Sequence, residues 1–304
     1  MFESMPSEIK IVEVGPRDGL QNEKVSLNLA QKLQYIELLT KTGLKTIEAT
    51  SFVRPDKVPQ MADASELFKS LTQRSDFEEF SFPCLVPNLK GFELAKSVGV
   101  REISLFSATS DEFTRKNINC SVDESFERMK PVATEAKKAG LKIRGYISTS
   151  FGCPYAGVMS VDKLVKVTER FLDLGVYEIS IGDTIGVATP KQVDEYIKEL
   201  LKVIERKKIA MHFHDTRGMA LTNILVSLEN DITVFDSSSG GLGGCPYAKG
   251  ATGNVATEDV VYLMNSLGIV TGVDMNKLKE ASDFILKKVN KLSPSKYFQT
   301  LKGL

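Results

Sequence analysis

Four stretches of the chain end in the same way: LLTKTGLKTIEAT, LAKSVGVREISLF, EAKKAGLKIRGYI and FLDLGVYEISIG. In each, a helical spacing of apolar residues runs into glycine, one apolar residue follows, and a β-rich run begins. Glycine takes the left-handed conformation that closes a helix without steric cost, so Gly43, Gly99, Gly140 and Gly175 read as helix stops. A chain that returns repeatedly from helix to strand builds parallel β-structure, because parallel neighbours need a crossover between them.

Filling in the remaining elements predicts strands near 9–15, 46–52, 80–86, 102–107, 142–149, 178–182, 209–214 and 232–236. Amphipathic helices such as SLNLAQKLQYIELLTKTG and SVDKLVKVTERFLDLG lie between them. Eight strand-helix units are the number that closes a (β/α)8 TIM barrel, an α/β fold that reaches about 250 residues as one domain. The competing open doubly wound sheet lacks its usual sign, a glycine-rich dinucleotide loop after the first strand. The expectation is one domain over 1–304: a barrel over about 8–270 and an appended C-terminal helical segment over about 271–304.

Charge narrows the partners. Lys+Arg and Asp+Glu each number 39 among 304 residues, with no basic stripe or acidic tail. Nucleic acid and anionic membrane surfaces are therefore poor partners. No apolar run approaches the roughly 20 residues of a spanning helix, and MFESMPSEIK resembles no targeting sequence, so a cytoplasmic location is expected. Cys84, Cys120, Cys153 and Cys245 have neither disulfide-framework nor zinc-ligand spacing.

In a parallel barrel the chemistry sits at the C-terminal ends of the strands. The first strand ends in VGPRDGLQNE, which delivers Arg17, Asp18, Gln21 and Glu23 to that face. An isolated Arg-Asp pair would be an ordinary turn ion pair. The seventh strand, IAMHFHDTRG, holds both histidines of the chain, His212 and His214. At i and i+2 on a strand the two imidazoles project to one side, as a metal takes two ligands from one strand. Asp18, Glu48, Asp183 and Asn254 stand at or near other strand ends and could complete an octahedral divalent site with oxygen. For Glu48 and Asp183 the competing reading is a helix cap or an ion pair.

The segment GGLGGCPYAKG places Cys245 within a run of glycines. Gly243, Gly244 and Gly250 supply hinges and Pro246 one stiff point, so the segment can close over the barrel mouth as a lid carrying a thiol. A surface thiol without function would be a liability there.

VEVGPRDGLQNE, SFV followed by VPQMAD, KNINCS, GDTIG, HFHDT and GLGGCPYAKGATGNVATED together resemble the 3-hydroxy-3-methylglutaryl-CoA lyase family, metal-dependent (β/α)8 lyases, over nearly the whole chain. The resemblance implies an enzyme, a carbon-carbon lyase releasing acetyl-CoA and acetoacetate, with leucine catabolism as its setting and a homodimer as its state. It implies Asp18, His212, His214 and Asn254 as ligands of Mg or Mn. Arg17 would stabilise an enolate, Cys245 would act as acid/base, His212 or a bound water would help shuttle the proton, and Glu48 and Asp183 would be polar site residues. Gln21, Lys24 and Asn117 would contact the CoA thioester. Arg217, Met219, Ser239, Gly240, Arg54 and Asp56 depart from the family pattern, which keeps a lyase for a related thioester such as citramalyl-CoA as an alternative. No cysteine follows Cys245, so the redox-regulated tail of some members does not carry over.

Three rival readings compete with this one. Amidohydrolase-type barrels place H-x-H on the first strand and need more histidines than this chain has. A Claisen synthase shares the Arg-Asp strand but lacks the glycine loop with Cys245. A catalytically silent CoA-thioester-binding barrel would have no use for Arg17 and Cys245 together.

Overall fold

All four helix-stop glycines have positive φ: +98° at Gly43, +87° at Gly99, +71° at Gly140 and +76° at Gly175. In the computed structural model, which describes residues 5–244 and 253–301, each of them hands a helix over to the next strand. The strands are Lys10–Glu13, the divided second strand Thr46–Ile47 and Thr50–Ser51, then Cys84–Leu85, Glu102–Ala108, Lys142–Ser148, Glu178–Asp183, Ile209–Phe213 and Val234–Ser237. All pair in parallel, and the eighth returns to the first with Lys10 opposite Val234.

Closure runs through the divided strand. Glu48 N donates to Glu13 O on one side (2.9 Å), while Ala49 N donates to Pro83 O on the other (3.0 Å). The two halves thus stand at opposite ends of the hydrogen-bonded order, and the sheet is a closed eight-stranded barrel. The third strand is shorter than its expected span of 80–86, since Pro83 has no amide to give the ladder.

Two elements lie outside the plain alternation. A helix, Asp111–Ile118, precedes the long helix Val122–Lys138, and a small antiparallel hairpin of Gly152–Cys153 and Gly157–Val158 follows the fifth strand. The C-terminal segment is helical as expected. Met275–Val289 is capped by Asp274, whose side chain accepts from Asn276 N and Lys277 N, and packs on the first helix, Leu29–Thr40. Lys296–Thr300 packs on the eighth barrel helix, Thr257–Ser266, with Tyr297 stacked on Tyr262.

The main apolar core lies between sheet and helices, as amphipathic helices around a barrel require. A second cluster, Val12, Val14, Ala210 and Val234, fills part of the barrel interior. Cys84, Cys120 and Cys153 are buried and unpaired. Among the described residues no helix is long and apolar enough to cross a membrane.

Candidate active site

Where the first strand ends, Gly15–Gly19 winds into one π-helical turn, with Gly19 N reaching back to Val14 O (3.0 Å). Single π turns widen a backbone at functional sites. This one presents Arg17 and Asp18 side by side, Arg17 Nη1 donating to Asp18 Oδ1 at 2.8 Å. Arg17 Nε also donates to Glu48 Oε2 at 2.7 Å, so the guanidinium is gripped between carboxylates of the first turn and the divided second strand.

His212 and His214 project together from the seventh strand, their ring centroids 5.2 Å apart. Asn254 approaches from beyond the glycine loop and forms an isolated bridge with His214. The neighbouring bonds Val255 N to Phe213 O (3.0 Å) and Asp215 N to Gly253 O (2.9 Å) fix that approach. One ligand atom each from Asp18, His212 and His214 lie within 4.8 Å of one another. Asn254 Nδ2 donates to Asp18 Oδ2 at 2.8 Å and to Leu242 O at 3.1 Å. Asn254 Oδ1 and His214 Nδ1 are buried with no hydrogen-bond partner among the described residues. Stranded acceptors beside a carboxylate and imidazoles suit a divalent cation.

The electrostatics agree. Burial works against ionisation of Asp18, but Arg17 and the two imidazoles outweigh it and hold its carboxyl at about 2. Burial and the neighbouring His212 push His214 down to about 3, leaving it neutral with the lone pair of one ring nitrogen free. His212 moves the opposite way: burial lowers it, and the Asp236 carboxylate, 3.3 Å from Nδ1, more than compensates.

The other expected residues are placed as follows. Glu48 is fully buried, its pKa raised by burial, and its Oε1 has no partner among the described residues. Asp183 accepts from Val187 N and Ala188 N, one per oxygen at 2.9 Å, and so shapes the loop after the sixth strand. Gln21 is half-buried, with Oε1 unpartnered among the described residues. Lys24 is exposed on an open groove of about 450 Å³ that also borders Gly243, Gly244 and Lys291. Asn117 is exposed on Asp111–Ile118, after the fourth strand. Gly243 and Gly244 are tied down at the root of the loop: Gly243 N donates to Glu23 Oε1 (3.3 Å) and Asn22 Nδ2 to Gly244 O (3.2 Å). Cys245, Pro246 and Gly250 lie outside the described residues.

Sequence reading missed three buried acids and an arginine around this cluster. Glu13 accepts from Gly15 N and Ser239 N (both 2.9 Å) and from the Thr257 hydroxyl (2.7 Å), joining the Arg17 turn to the approach of the glycine loop. Glu258 accepts from Gly240 N with both oxygens. Asp236 touches His212 and is held by Arg144. The available signal was an acid at an inward position of a strand expected to be buried, FDS in the eighth strand.

Comparison with known proteins bears on this site. The HMGL-like family model matches residues 8–285. The mitochondrial hydroxymethylglutaryl-CoA lyase of Macaca fascicularis is 48% identical over 298 residues, covering 98% of this chain and 91% of its own length. The crystal structure of hydroxymethylglutaryl-CoA lyase from Pseudomonas aeruginosa superposes with a TM-score of 0.94 at 46% identity, covering 98% of this chain and 99% of the other. An HMG-CoA lyase from Acinetobacter baumannii, solved with coenzyme A and 3-methylmalate, gives 0.90 at 33% identity, covering 95% and 94%. A barrel that gathers Arg17, Asp18 and the His212–His214 pair at its mouth, and matches that model and those relatives nearly end to end, belongs to the HMGL-like family.

Proposed function

We propose that the chain cleaves 3-hydroxy-3-methylglutaryl-CoA to acetyl-CoA and acetoacetate. The observation that carries this is the gathering of Asp18, His212, His214 and the unpartnered Asn254 Oδ1 beside the Arg17 guanidinium. Full-length likeness to lyases named for that substrate supports the choice over citramalyl-CoA.

Asp18, His212, His214 and Asn254 would hold a divalent cation, Mg or Mn by the hard and borderline character of the donors. Bound there, the cation supplies Lewis-acid polarisation of substrate hydroxyl and carboxylate oxygens. The substrate carries its tertiary alcohol β to the thioester. The hydroxyl proton passes to a base, the bond between the carbinol carbon and the thioester α-carbon breaks, and its electrons move onto the thioester oxygen. Glu48 is suited to receive the proton, because burial makes it more basic and Oε1 is unengaged.

Arg17 meets the charge on the thioester oxygen. Its guanidinium stays protonated, and the grip of Glu48 and Asp18 orients it before substrate arrives. The enolate carbon then takes a proton, which we assign to Cys245 with a bound water assisting, since His212 would hold the cation and donate to Asp236. Asp183 serves by shaping the loop after the sixth strand. Lys24, Gln21 and Asn117 are proposed contacts for the CoA portion, a reading supported by the coenzyme A bound in the Acinetobacter structure. A homodimer, a place in leucine catabolism, a cytoplasmic location and a single catalytic domain over 1–304 complete the proposal.

A coupled assay of acetyl-CoA release from 3-hydroxy-3-methylglutaryl-CoA tests it with Mg, with Mn and after EDTA. Turnover that disappears on chelation and returns with either ion is expected. Folded, metal-loaded protein that turns over citramalyl-CoA and not this substrate would overturn the assignment.

A further inference from the structure

Barrel interiors are ordinarily filled by branched apolar side chains. This one carries a chain of charges. Arg144 is fully buried, donating from Nε to Glu178 Oε1 (2.7 Å), from Nη1 to the Tyr146 hydroxyl (2.6 Å) and from Nη2 to Asp236 Oδ1 (2.7 Å). Lys10 Nζ reaches Glu178 Oε2 at 2.6 Å from the opposite end of the barrel. Asp236 Oδ2 takes the Ser180 hydroxyl (2.7 Å), a second Arg144 contact (3.2 Å) and His212 Nδ1 (3.3 Å). His214 has no such partner among the described residues, and its Nδ1 is buried and unpaired there.

The geometry points to Asp236 as the positioning residue of the cation site, held by Arg144 and Ser180 so that it accepts His212 Nδ1–H and leaves the Nε2 lone pair to the cation. A neutral imidazole can carry its proton on either nitrogen, and only one tautomer offers Nε2 as a ligand. A carboxylate behind the ring selects that tautomer and stops the ring from turning. The two imidazoles of the H-x-H are therefore not equivalent. One is fixed from behind by an anion and the other is free of any such anchor. This inference rests on the reading that Asp18, His212, His214 and Asn254 hold a divalent ion.

The chain has only two histidines, which makes the tautomer directly observable. In metal-free protein labelled with ¹⁵N-histidine, two-bond ¹H–¹⁵N correlation spectra at pH 9 contain two imidazoles, assigned by the signal lost in His214→Asn. His212 is expected to be protonated at Nδ1 and bare at Nε2. The reverse tautomer at His212 in the wild-type protein overturns the inference, whatever any variant does. As a second arm, Asp236→Asn is expected to mix the tautomers and to weaken Mn²⁺ binding ten- to a hundredfold, read from free Mn²⁺ by electron paramagnetic resonance. Most of kcat should return at saturating Mn²⁺. Wild-type affinity in folded Asp236→Asn also overturns it. Failure of the wild-type protein to bind Mn²⁺ at all would instead count against the cation reading, while the metal-free spectrum still decides the role of Asp236.

Discussion

Glu13 offers a test in which pH separates two otherwise similar outcomes. It is fully buried, with two backbone amides and one hydroxyl as its donors. Burial dominates those bonds and pushes its pKa from 4.5 to about 7. Below pH 4.5 both folded and unfolded chains are protonated at this group. Between 4.5 and about 7 the folded chain keeps a proton that the unfolded chain has released, so stability falls as pH rises. A span of about 2.5 units at about 1.4 kcal/mol per unit makes the loss about 3 kcal/mol, complete above pH 7. Glu13→Gln keeps the carbonyl oxygen for Gly15 N and Ser239 N. Its amide faces the Thr257 hydroxyl, which can turn to accept and donate instead to Ser237 Oγ, 2.8 Å away. The substitution should cost about 1 kcal/mol at pH 5, where the native carboxyl is protonated in the fold. At pH 8.5 it should stabilise by about 2 kcal/mol. Urea unfolding of both proteins at both pH values gives the four numbers needed. An identical difference at pH 5 and pH 8.5 would refute the reasoning, because the carboxyl would then titrate alike in the folded and unfolded chains.

Two further outcomes follow from the site. Arg17→Lys keeps a cation but loses the fork that Glu48 and Asp18 orient, and kcat should fall about 10²- to 10³-fold with the protein folded; a loss below tenfold would remove Arg17 from the charge-stabilising role. Affinity for Mn²⁺ should fall on acidification because the proton competes for His212, whose pKa is raised by Asp236 against burial, while His214 at about 3 and Asp18 at about 2 stay unprotonated. Titration of Mn²⁺ from pH 9 to pH 5.5 checks this, and a flat affinity across that range would exclude His212 as a ligand.

Much of the fold was legible because its signals are local. A glycine that closes a helix announces itself within one turn, and the four helix-stop glycines, all with positive φ, stand where the sequence placed them. Arg17, Asp18, His212 and His214 were legible for a related reason: strand ends are where a parallel barrel leaves polar side chains useful. Pairings across the barrel gave no such sign. Arg144 and Asp236 are separated by 92 residues, and KIRGYIS reads as a strand without showing which face its arginine takes until the barrel closes. The division of the second strand was equally hidden, since it comes from Glu48 and Ala49 bonding to opposite neighbours. For Asp183 the sequence left two readings open, and the bonds to Val187 N and Ala188 N show the carboxylate engaged with its own loop.

Stability alone does not account for the charges inside the barrel. Replacing a buried ion-pair network by apolar side chains of similar volume is often neutral or favourable, whereas removing one member leaves an uncompensated charge at about 3–5 kcal/mol. Arg144, Glu178, Asp236 and Ser180 thus form a group that is hard to lose one residue at a time and has no need to exist for packing. Register places the group and the ring it holds: Arg144 is opposite Glu178, and Asp236 is opposite His212 on neighbouring strands. Because side chains alternate along a strand, a slip of one residue in either pairing would turn one partner out of the barrel. The register that closes the sheet therefore also brings the Asp236 carboxylate to His212, and the contacts that specify the barrel specify the orientation of the ring at its mouth.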